Sequence, residues 1–276
     1  MKPLVSATEL KELLAHERAV LLDARSGPGA RARYDEAHLP GAQFVDLDED
    51  LARRAANPAH GGRHPLPPIA DFGTLLGKLG IARDTHVIAY DDKSGANAAA
   101  RVWWMLRAVG HADVQVLDGG LQAATAAGIP MRSGAEARAT AAPYPVSAWQ
   151  LPTASAHDVE RASREGSALI VDVREAPRYR GEVEPIDLVA GHIPGAENLP
   201  FAGNLASDGR FLAPETLRSV YEAFIGVHAP ADVVVHCGSG VTACHTLLGF
   251  AHAGLPIPKL YVGSWSEWSR NDHPDG

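Results

Sequence analysis

The chain has 276 residues, of which 46% are hydrophobic and 21% charged, so it can form about two domains with buried cores and is not disordered. Its 25 Lys and Arg against 33 Asp and Glu give a net charge of −8, which argues against a nucleic-acid-binding protein. With two cysteines and no CxxC pair, a disulfide-stapled fold and a structural zinc ribbon are excluded.

No targeting or membrane segment is expected. The N-terminal sequence MKPLVSATEL lacks the apolar stretch of a signal peptide. The longest run without Asp, Glu, Lys or Arg, residues 233–258, is interrupted by histidines, glycines and prolines, so it indicates strand, loop and helix rather than a membrane span. We therefore expect a cytoplasmic protein with neither a membrane nor a nucleic-acid partner.

Strand and helix patterns alternate along the chain. Apolar runs rich in Val, Ile and Leu predict buried parallel strands at 20–23, 87–90, 114–117, 169–173, 233–236 and 260–262. Helices are predicted at 8–16, 70–79, 96–109, 156–165, 214–224 and 242–252. This alternation predicts an α/β fold with parallel sheets flanked by helices, in which sites form at the carboxyl ends of strands.

The chain also repeats itself at about half its length. Three motif pairs recur in the same order: LLDAR (21–25) with IVDVR (170–174), HLPGA (38–42) with HIPGA (192–196), and VIAY (87–90) with VVVH (233–236). A repeat of this length indicates two copies of one domain. Because AAPYP (141–145) cannot be helical, we place the boundary there and predict domains at 1–143 and 144–276.

Cys237 directly follows the predicted strand 233–236 and precedes a helix. Gly238 and Gly240 let the backbone N–H groups of this turn face inward as an anion-binding nest, and the helix adds its positive end. A thiol in this position is expected to ionise readily and to act as a nucleophile. The alternative is that Cys237 is a small buried hydrophobe.

The second cysteine and the residues after Cys237 bear on which cysteine chemistry is expected. Cys244 lies within the predicted helix and is expected in the core, with a redox partnership with Cys237 as the alternative. A tyrosine-phosphatase-like site needs an arginine six residues after the cysteine, where this chain has Ala243. Phosphoryl chemistry is therefore disfavoured, and a loop of neutral donors suits transfer of a single sulfur atom.

The loop CGSGVTA (237–243) resembles the active-site loop of tandem-rhodanese sulfurtransferases of the 3-mercaptopyruvate type. The supporting motifs, in the right order over nearly the whole chain, are HLPGA and HIPGA, RVWWMLRAVGH (101–111), LDGGL (117–121), RYRGEVEP (178–185) and YVGSWSEW (261–268). The resemblance implies two rhodanese-like domains, of which the second is catalytic and the first, lacking a cysteine, is a scaffold.

The resemblance also implies a persulfide mechanism. Cys237 would take the sulfane sulfur of a donor and pass it to cyanide, a small thiol or a thioredoxin-like protein. The backbone of Gly238, Gly240, Val241 and Thr242 would bind the transferred sulfur, and no cofactor is implied. Members that prefer thiosulfate tend to carry basic residues after the cysteine, so Gly238 and Ser239 favour 3-mercaptopyruvate, with thiosulfate as the alternative.

Further site residues follow from the same resemblance. Ser239 would orient the donor or pass a proton, and Arg178 would bind the donor's carboxylate or sulfonate, with a surface salt bridge as the alternative. Mercaptopyruvate enzymes often carry a second arginine shortly afterwards, and residues 181–190 have none. Asp48 and His64 would also lie near the cysteine, the alternative for both being a surface loop.

The first copy carries Asp91 where the second has Cys237, so it cannot form a persulfide. The histidines show no metal-ligand pattern, since His38 and His192 belong to the repeated turn, and we predict no metal. Two further functions stay open: a sulfur-relay module with weak turnover of small donors, and a phosphatase.

Overall fold

The structure is a computed structural model that describes residues 1–16, 19–54, 56–137 and 140–271. The chain forms two compact units. The first consists of Met1–Arg53, Leu66–Gln150 and Ser207–Arg210, and the second of Arg54–Pro65, Leu151–Ala206 and the chain from Phe211 onward.

The first unit is built on a parallel sheet of five strands. They are β1 (Leu4–Val5), β2 (Val20–Asp23), β3 (Gln43–Phe44), β4 (Val87–Tyr90) and β5 (Val114–Leu117), in the order β1-β5-β4-β2-β3. Its helices are α1 (Ala7–Leu14), α2 (Ala30–Glu36), α3 (Ile69–Lys78), α4 (Ala99–Ala108) and α5 (Gly120–Ala126). The central β4 is buried at all four positions, as expected for a strand covered on both faces.

The second unit repeats this plan. Its strands are β6 (Thr153–Ala154), β7 (Leu169–Asp172), β8 (Glu197–Asn198), β9 (Val233–His236) and β10 (Lys259–Tyr261), in the order β6-β10-β9-β7-β8. Its α-helices are α6 (Ala156–Glu165), α7 (Ala176–Tyr179), α8 (Pro214–Ile225), α9 (Ala243–His252) and α10 (Ser264–Trp268), with 3-10 turns at Phe201–Asn204 and Pro230–Asp232. The predicted α/β fold with two parallel sheets is confirmed.

The repeated motifs form the same local structures in both units. His38 stacks on Tyr34 at 4.1 Å between ring centroids, and His192 stacks on Tyr179 at 4.0 Å. In each pair the histidine Nδ1 also lies within hydrogen-bonding distance of the tyrosine's carbonyl oxygen, at 2.7 and 2.8 Å. The HxPGA histidines are thus held by their own domains and shape a turn.

A buried ion pair is repeated as well. Arg25 bonds to Asp23 and Arg174 to Asp172 through two guanidinium nitrogens each, with shortest distances of 2.6 Å in both pairs. Each arginine also donates to a carbonyl of the following turn, at Ala37 and Gly191 respectively. Buried charges of this kind are tolerated because they are paired and fully hydrogen-bonded.

The predicted boundary between 143 and 144 stays a prediction. In the structure, Tyr144 lies within 3.1 Å of His111 and donates its backbone N–H to Gly73, all within the first unit. Residues 272–276 of the predicted second domain lie outside the described residues.

No helix in the described part of the chain is long and apolar enough to cross a membrane. The uncharged run 233–258 forms β9, the Cys237 turn and α9. Among the described residues there is also no group of three or more His, Cys, Asp or Glu side chains placed to hold a metal ion.

Candidate active site

Cys237 lies at the carboxyl end of β9, the middle strand of the second sheet, and its turn leads into α9. The side chain is buried, with 3% of the residue exposed. The turn is attached to the start of α10: Cys237 N–H donates to Ser264 Oγ at 3.2 Å, and the carbonyls of Cys237 and Gly238 accept from the N–H groups of Trp265 and Ser266 at 3.0 and 2.8 Å. Five-residue α10 thus fixes the turn that carries the thiol.

A cavity of about 200 Å³ opens onto this turn. Its lining comprises Arg63, Arg174, Glu175, Arg178, Ile186, Phe201, Cys237, Gly238, Ser239 and Thr242. All of these residues belong to the second unit. The cavity therefore brings the predicted nucleophile together with a hydroxyl and several guanidinium groups, in a volume suited to a small organic anion.

His64 and Ser239 are brought together beside Cys237. Their side chains approach to 2.8 Å, between His64 Nδ1 and Ser239 Oγ, and Ser239 is buried. The segment that carries His64 is fixed within the second unit, since Gly61 N–H donates to Glu267 at 2.7 Å and Arg63 N–H to Ser266 Oγ at 3.0 Å. A histidine–serine pair of this kind can pass a proton to or from a group bound beside the Cys237 thiol.

The Arg178 side chain lines the cavity and is fixed by Glu184. Its Nη2 donates to both Glu184 oxygens, at 2.7 and 2.9 Å. Burial by itself raises the pKa of Glu184, but the Asp187 N–H and the Arg178 guanidinium bond to its carboxylate and bring the pKa below its ordinary value. Glu184 therefore stays ionised at neutral pH and orients Arg178. The Arg178 side chain both forms this ion pair and lines the cavity.

Arg63 also lines the cavity and is not among the site residues predicted from the sequence. It is bonded to Asp187, whose other oxygen lies 3.6 Å from Arg178 Nη2. In the sequence, the feature that could have indicated Arg63 is its position in GGRH, next to His64 and after two glycines. In the structure both glycines have positive φ. At Gly62 the close approach is essential, because a Cβ there would overlap with the Gly263 carbonyl.

Comparison with known proteins identifies the family. Residues 6–127 and 155–271 each match the rhodanese-like domain. The chain belongs to the rhodanese family. A probable 3-mercaptopyruvate sulfurtransferase of Pseudomonas aeruginosa is 43% identical, covering 96% of this chain and 94% of that protein. A putative thiosulfate sulfurtransferase of Mycobacterium tuberculosis is 38% identical, covering 96% of this chain and 93% of that protein.

A solved structure agrees with these relatives. The 3-mercaptopyruvate sulfurtransferase from Leishmania major has a TM-score of 0.84 and 33% identity, covering 98% of this chain and 74% of that chain. The prediction of a tandem-rhodanese sulfurtransferase is confirmed by these findings. The roles of the individual site residues stay predictions.

Neither Cys244 nor Asp48 is among the described residues that line the cavity of this rhodanese. Cys244 is fully buried in α9, and its thiol donates to the Gly240 carbonyl at 3.4 Å, which ties the helix to the Cys237 turn. Asp48 lies exposed in a turn of the first unit, where its N–H donates to Asp46 at 2.8 Å. The predicted role of Asp48 in donor binding stays a prediction.

The first rhodanese-like domain fills the equivalent turn with its own side chain. The buried Asp91 carboxylate accepts four backbone N–H groups, from Lys93, Gly95, Asn97 and Ala99, at 2.8 to 3.1 Å. The turn between β4 and α4 is thus an anion-binding nest, and the anion that it binds is the carboxylate of its own residue Asp91. Helix α4 begins at Ala99 rather than at the predicted residue 96, and the amides of Gly95 and Asn97 before it donate to Asp91.

We expect Gly240→Ala to destabilise the protein by about 2 kcal/mol or more and to lower its activity. Gly240 has a φ of +73°, and a methyl group there would overlap with the Val262 carbonyl, which lies beside the Cys237 turn. Urea unfolding of the variant measures the effect. Gly203→Ala is the matched control, since open space surrounds that position, and equal stability of the two variants would contradict the prediction.

A second prediction concerns His236, the last residue of β9. Complete burial lowers its pKa, although Asp172 nearby opposes the shift, so the ring is neutral in the folded protein. In the unfolded chain this histidine takes up a proton near pH 6.5, whereas in the folded chain the buried ring stays neutral to lower pH. The contribution of His236 to the free energy of unfolding is therefore full above pH 6.5 and falls as the pH is lowered below it. Between pH 7.5 and 5.5 we therefore expect His236→Gln to lose less unfolding free energy than the wild type. An equal loss in urea titrations at the two pH values would contradict this.

Proposed function

We propose that this rhodanese transfers sulfur from 3-mercaptopyruvate to a thiol or cyanide acceptor through a persulfide on Cys237. The observation that carries the proposal is the placement of a buried thiol in a small cavity that also contains Ser239 and the guanidinium of Arg178. A 2-oxo acid with a thiol on its third carbon has the size and the charge for this cavity. Relatives with this activity in their names support the donor class.

In the first half-reaction the Cys237 thiolate attacks the sulfur of the donor. A sulfur–sulfur bond forms, the donor's carbon–sulfur bond breaks, and its electron pair leaves as the enolate of pyruvate. The proton on the transferred sulfur is released, and the enolate carbon takes up a proton to give pyruvate. His64 and Ser239, 2.8 Å apart, provide a path for that proton.

In the second half-reaction an acceptor removes the outer sulfur. Cyanide attacks it and leaves as thiocyanate, or a thiolate attacks it and leaves as a persulfide, and in both cases the Cys237 thiolate is restored. We include a small thiol and a thioredoxin-like protein among the acceptors, and we propose the cytoplasm as the site of action. The enzyme alternates between two stable forms, so ping-pong kinetics are expected.

The persulfide anion needs hydrogen-bond donors, and the repeat suggests where they come from. In the first domain the turn after β4 directs four amides at the Asp91 carboxylate. By this internal parallel, we assign the backbone from Gly238 to Thr242 the same task toward the sulfur on Cys237. A preorganised set of amides of this kind stabilises developing charge without reorganisation.

The charges in and around the Cys237 turn bear on the choice of donor. The Cys237 turn itself is neutral, which favours 3-mercaptopyruvate over a dianion. However, guanidinium groups from outside the turn reach the cavity, and a relative is named as a putative thiosulfate sulfurtransferase, which favours thiosulfate as the second candidate. A sulfur-relay module would use the same persulfide but turn over both small donors poorly.

The deciding experiment compares kcat/KM for 3-mercaptopyruvate and thiosulfate with cyanide as acceptor. Intact mass spectrometry of the protein, after donor alone, should show one added sulfur on Cys237. We expect 3-mercaptopyruvate to be preferred by at least about tenfold. A preference for thiosulfate would overturn the donor assignment but leave the persulfide mechanism standing, whereas a sulfur adduct with slow turnover of both donors would favour the relay.

A further inference from the structure

Two guanidinium groups converge on one point of the Cys237 turn. Arg63 Nη2 lies 3.3 Å, and Arg178 Nη1 3.5 Å, from the position that a Cβ would take at Gly238. Both side chains line the cavity and are partly accessible, with 23% and 16% of their side-chain surface exposed. A ligand group beside Gly238, next to the thiol, would therefore meet both cations.

Each arginine forms its ion pair through guanidinium nitrogens other than the one nearest Gly238, although Nη2 of Arg178, which bonds to Glu184, also lies 3.6 Å from the Gly238 position. Arg63 bonds to Asp187 through Nη1, and Arg178 bonds to Glu184 through Nε and Nη2. The nitrogens nearest Gly238 are Nη2 of Arg63 and Nη1 of Arg178. A guanidinium can hold one carboxylate with part of its fork and offer further N–H groups to a second anion.

The side chains that line the cavity include three guanidinium groups and one carboxylate. Asp187 is fully buried and lies against three arginines: it bonds to Arg63 and Arg270 and is 3.6 Å from Arg178. Arg174 is neutralised by Asp172. Neither Asp187 nor Glu184 is among the described residues that line the cavity, where Glu175 is the acidic side chain. The carboxylates thus hold the arginines in place and leave their outer N–H groups to the cavity.

We propose that Arg63 is the second cation of the donor site and that it binds the donor's carboxylate together with Arg178. The inference rests on the proposed 2-oxo acid donor for the identity of the ligand, but the anion site itself does not depend on it. A carboxylate between two guanidinium groups would accept one or more N–H bonds from each, with the donor's third carbon directed at Cys237. Arg63 would then contribute to specificity for donors that carry a carboxylate.

The test uses a matched pair of thiol reagents that need no sulfur transfer. Iodoacetate carries a carboxylate and iodoacetamide is its neutral counterpart, so the ratio of their alkylation rates at Cys237 reports attraction of a carboxylate to the cavity. Peptide mass mapping separates Cys237 from the buried Cys244. We expect Arg63→Gln and Arg178→Gln each to lower this ratio at least about fivefold, and Arg63→Lys to retain much of it.

Two controls separate direct binding from indirect effects. Arg180→Gln removes an exposed charge, paired with Glu182, and should leave the ratio unchanged. Arg270→Gln removes the other partner of Asp187. If Arg270→Gln lowers the ratio as much as Arg63→Gln, the effect runs through an unpaired Asp187 and the proposal is overturned. It is also overturned if Arg63→Gln slows both reagents equally or changes neither rate.

Steady-state kinetics then connect the site to the donor. We expect Arg63→Gln to raise KM for 3-mercaptopyruvate about tenfold, with kcat within about threefold, as expected for loss of a binding contact. A fall in kcat at unchanged KM would overturn the assignment of Arg63 to donor binding. If the wild type does not use 3-mercaptopyruvate but the alkylation ratio falls as expected, the proposed function fails while the carboxylate site stands.

Discussion

Replacing Cys237 by serine is expected to abolish sulfur transfer from both 3-mercaptopyruvate and thiosulfate, with activity falling at least about 1,000-fold. The reason is chemical, since a serine hydroxyl at neutral pH is neither ionised nor able to hold a transferable sulfur. The side chain is buried at the end of β9, and serine is close to cysteine in size, so the fold should be retained. The measurement is thiocyanate production from each donor, together with the intact mass of the protein after donor alone.

Cys244→Ala supplies the matched control for this experiment. Cys244 is also a buried thiol, but it lies in α9 and its Sγ donates to the Gly240 carbonyl. Losing that weak bond should cost little, and the variant should still gain one sulfur on Cys237. Retained activity in Cys237→Ser would refute the persulfide mechanism. If Cys244→Ala instead forms no sulfur adduct, a redox role for the second cysteine would be supported.

The sheets were predictable because their central strands are buried on both faces. Four of the six predicted strands, at 20–23, 87–90, 114–117 and 233–236, have the observed bounds, and the other two differ by a residue at one or both ends. The edge strands β1, β3, β6 and β8 were missed. Each has two residues, which is too short for a hydrophobic pattern, and each is defined by pairing with a distant segment.

The short helices α2, α5, α7 and α10 were missed for a related reason. None exceeds seven residues, and α7 has four, so none shows a full period of apolar positions. Tertiary contacts hold them instead. In α10, for example, the N–H groups of Trp265 and Ser266 donate to the Cys237 turn. The signal in the sequence was the motif YVGSWSEW rather than a periodicity.

The site was predictable to the extent that its residues lie in recognisable motifs. Cys237 follows from the strand–turn–helix pattern, and Ser239, Arg178 and His64 from the family resemblance. These four lie around one cavity or in contact with its lining. Arg63 could not be predicted in the same way. Its position depends on a chain segment between β3 and α3 that packs against α10, about 200 residues later in the sequence.

The two turns differ in a way that supports our proposal that the second domain is the catalytic one. Both turns follow the middle strand of a five-stranded parallel sheet and lead into a long helix. In the first, the Asp91 carboxylate is bonded to the amides of the turn itself. In the second, a thiol stands at the equivalent position and opens onto a cavity. The first turn is therefore closed by its own anion, and the second can receive one from a donor.

The Asp91 nest should make this residue one of the most important for the stability of the first domain. We expect Asp91→Ala to lower the free energy of unfolding by about 3–5 kcal/mol, because four amide N–H groups, two of them buried, lose the fully buried carboxylate that accepts from them. Burial raises the pKa of Asp91, while the N–H groups of Lys93, Ala99 and Gly95 donate to the carboxylate and oppose the shift. Each carboxylate oxygen accepts two of the four N–H groups, so the full set of bonds requires the ionised form. Urea unfolding at pH 7 measures the loss.

Asp92→Ala is the matched control, since Asp92 is the next carboxylate along the chain and forms a partly exposed ion pair with Arg33 at 3.2 Å. Such pairs contribute about 1 kcal/mol or less, so the control should unfold close to the wild type. Asp91→Asn adds a further test, because its amide group brings two donors to a nest built from donors and should not restore full stability. Wild-type stability in Asp91→Ala would show that the nest does not need its anion, and the parallel with the persulfide at Cys237 would lose its basis.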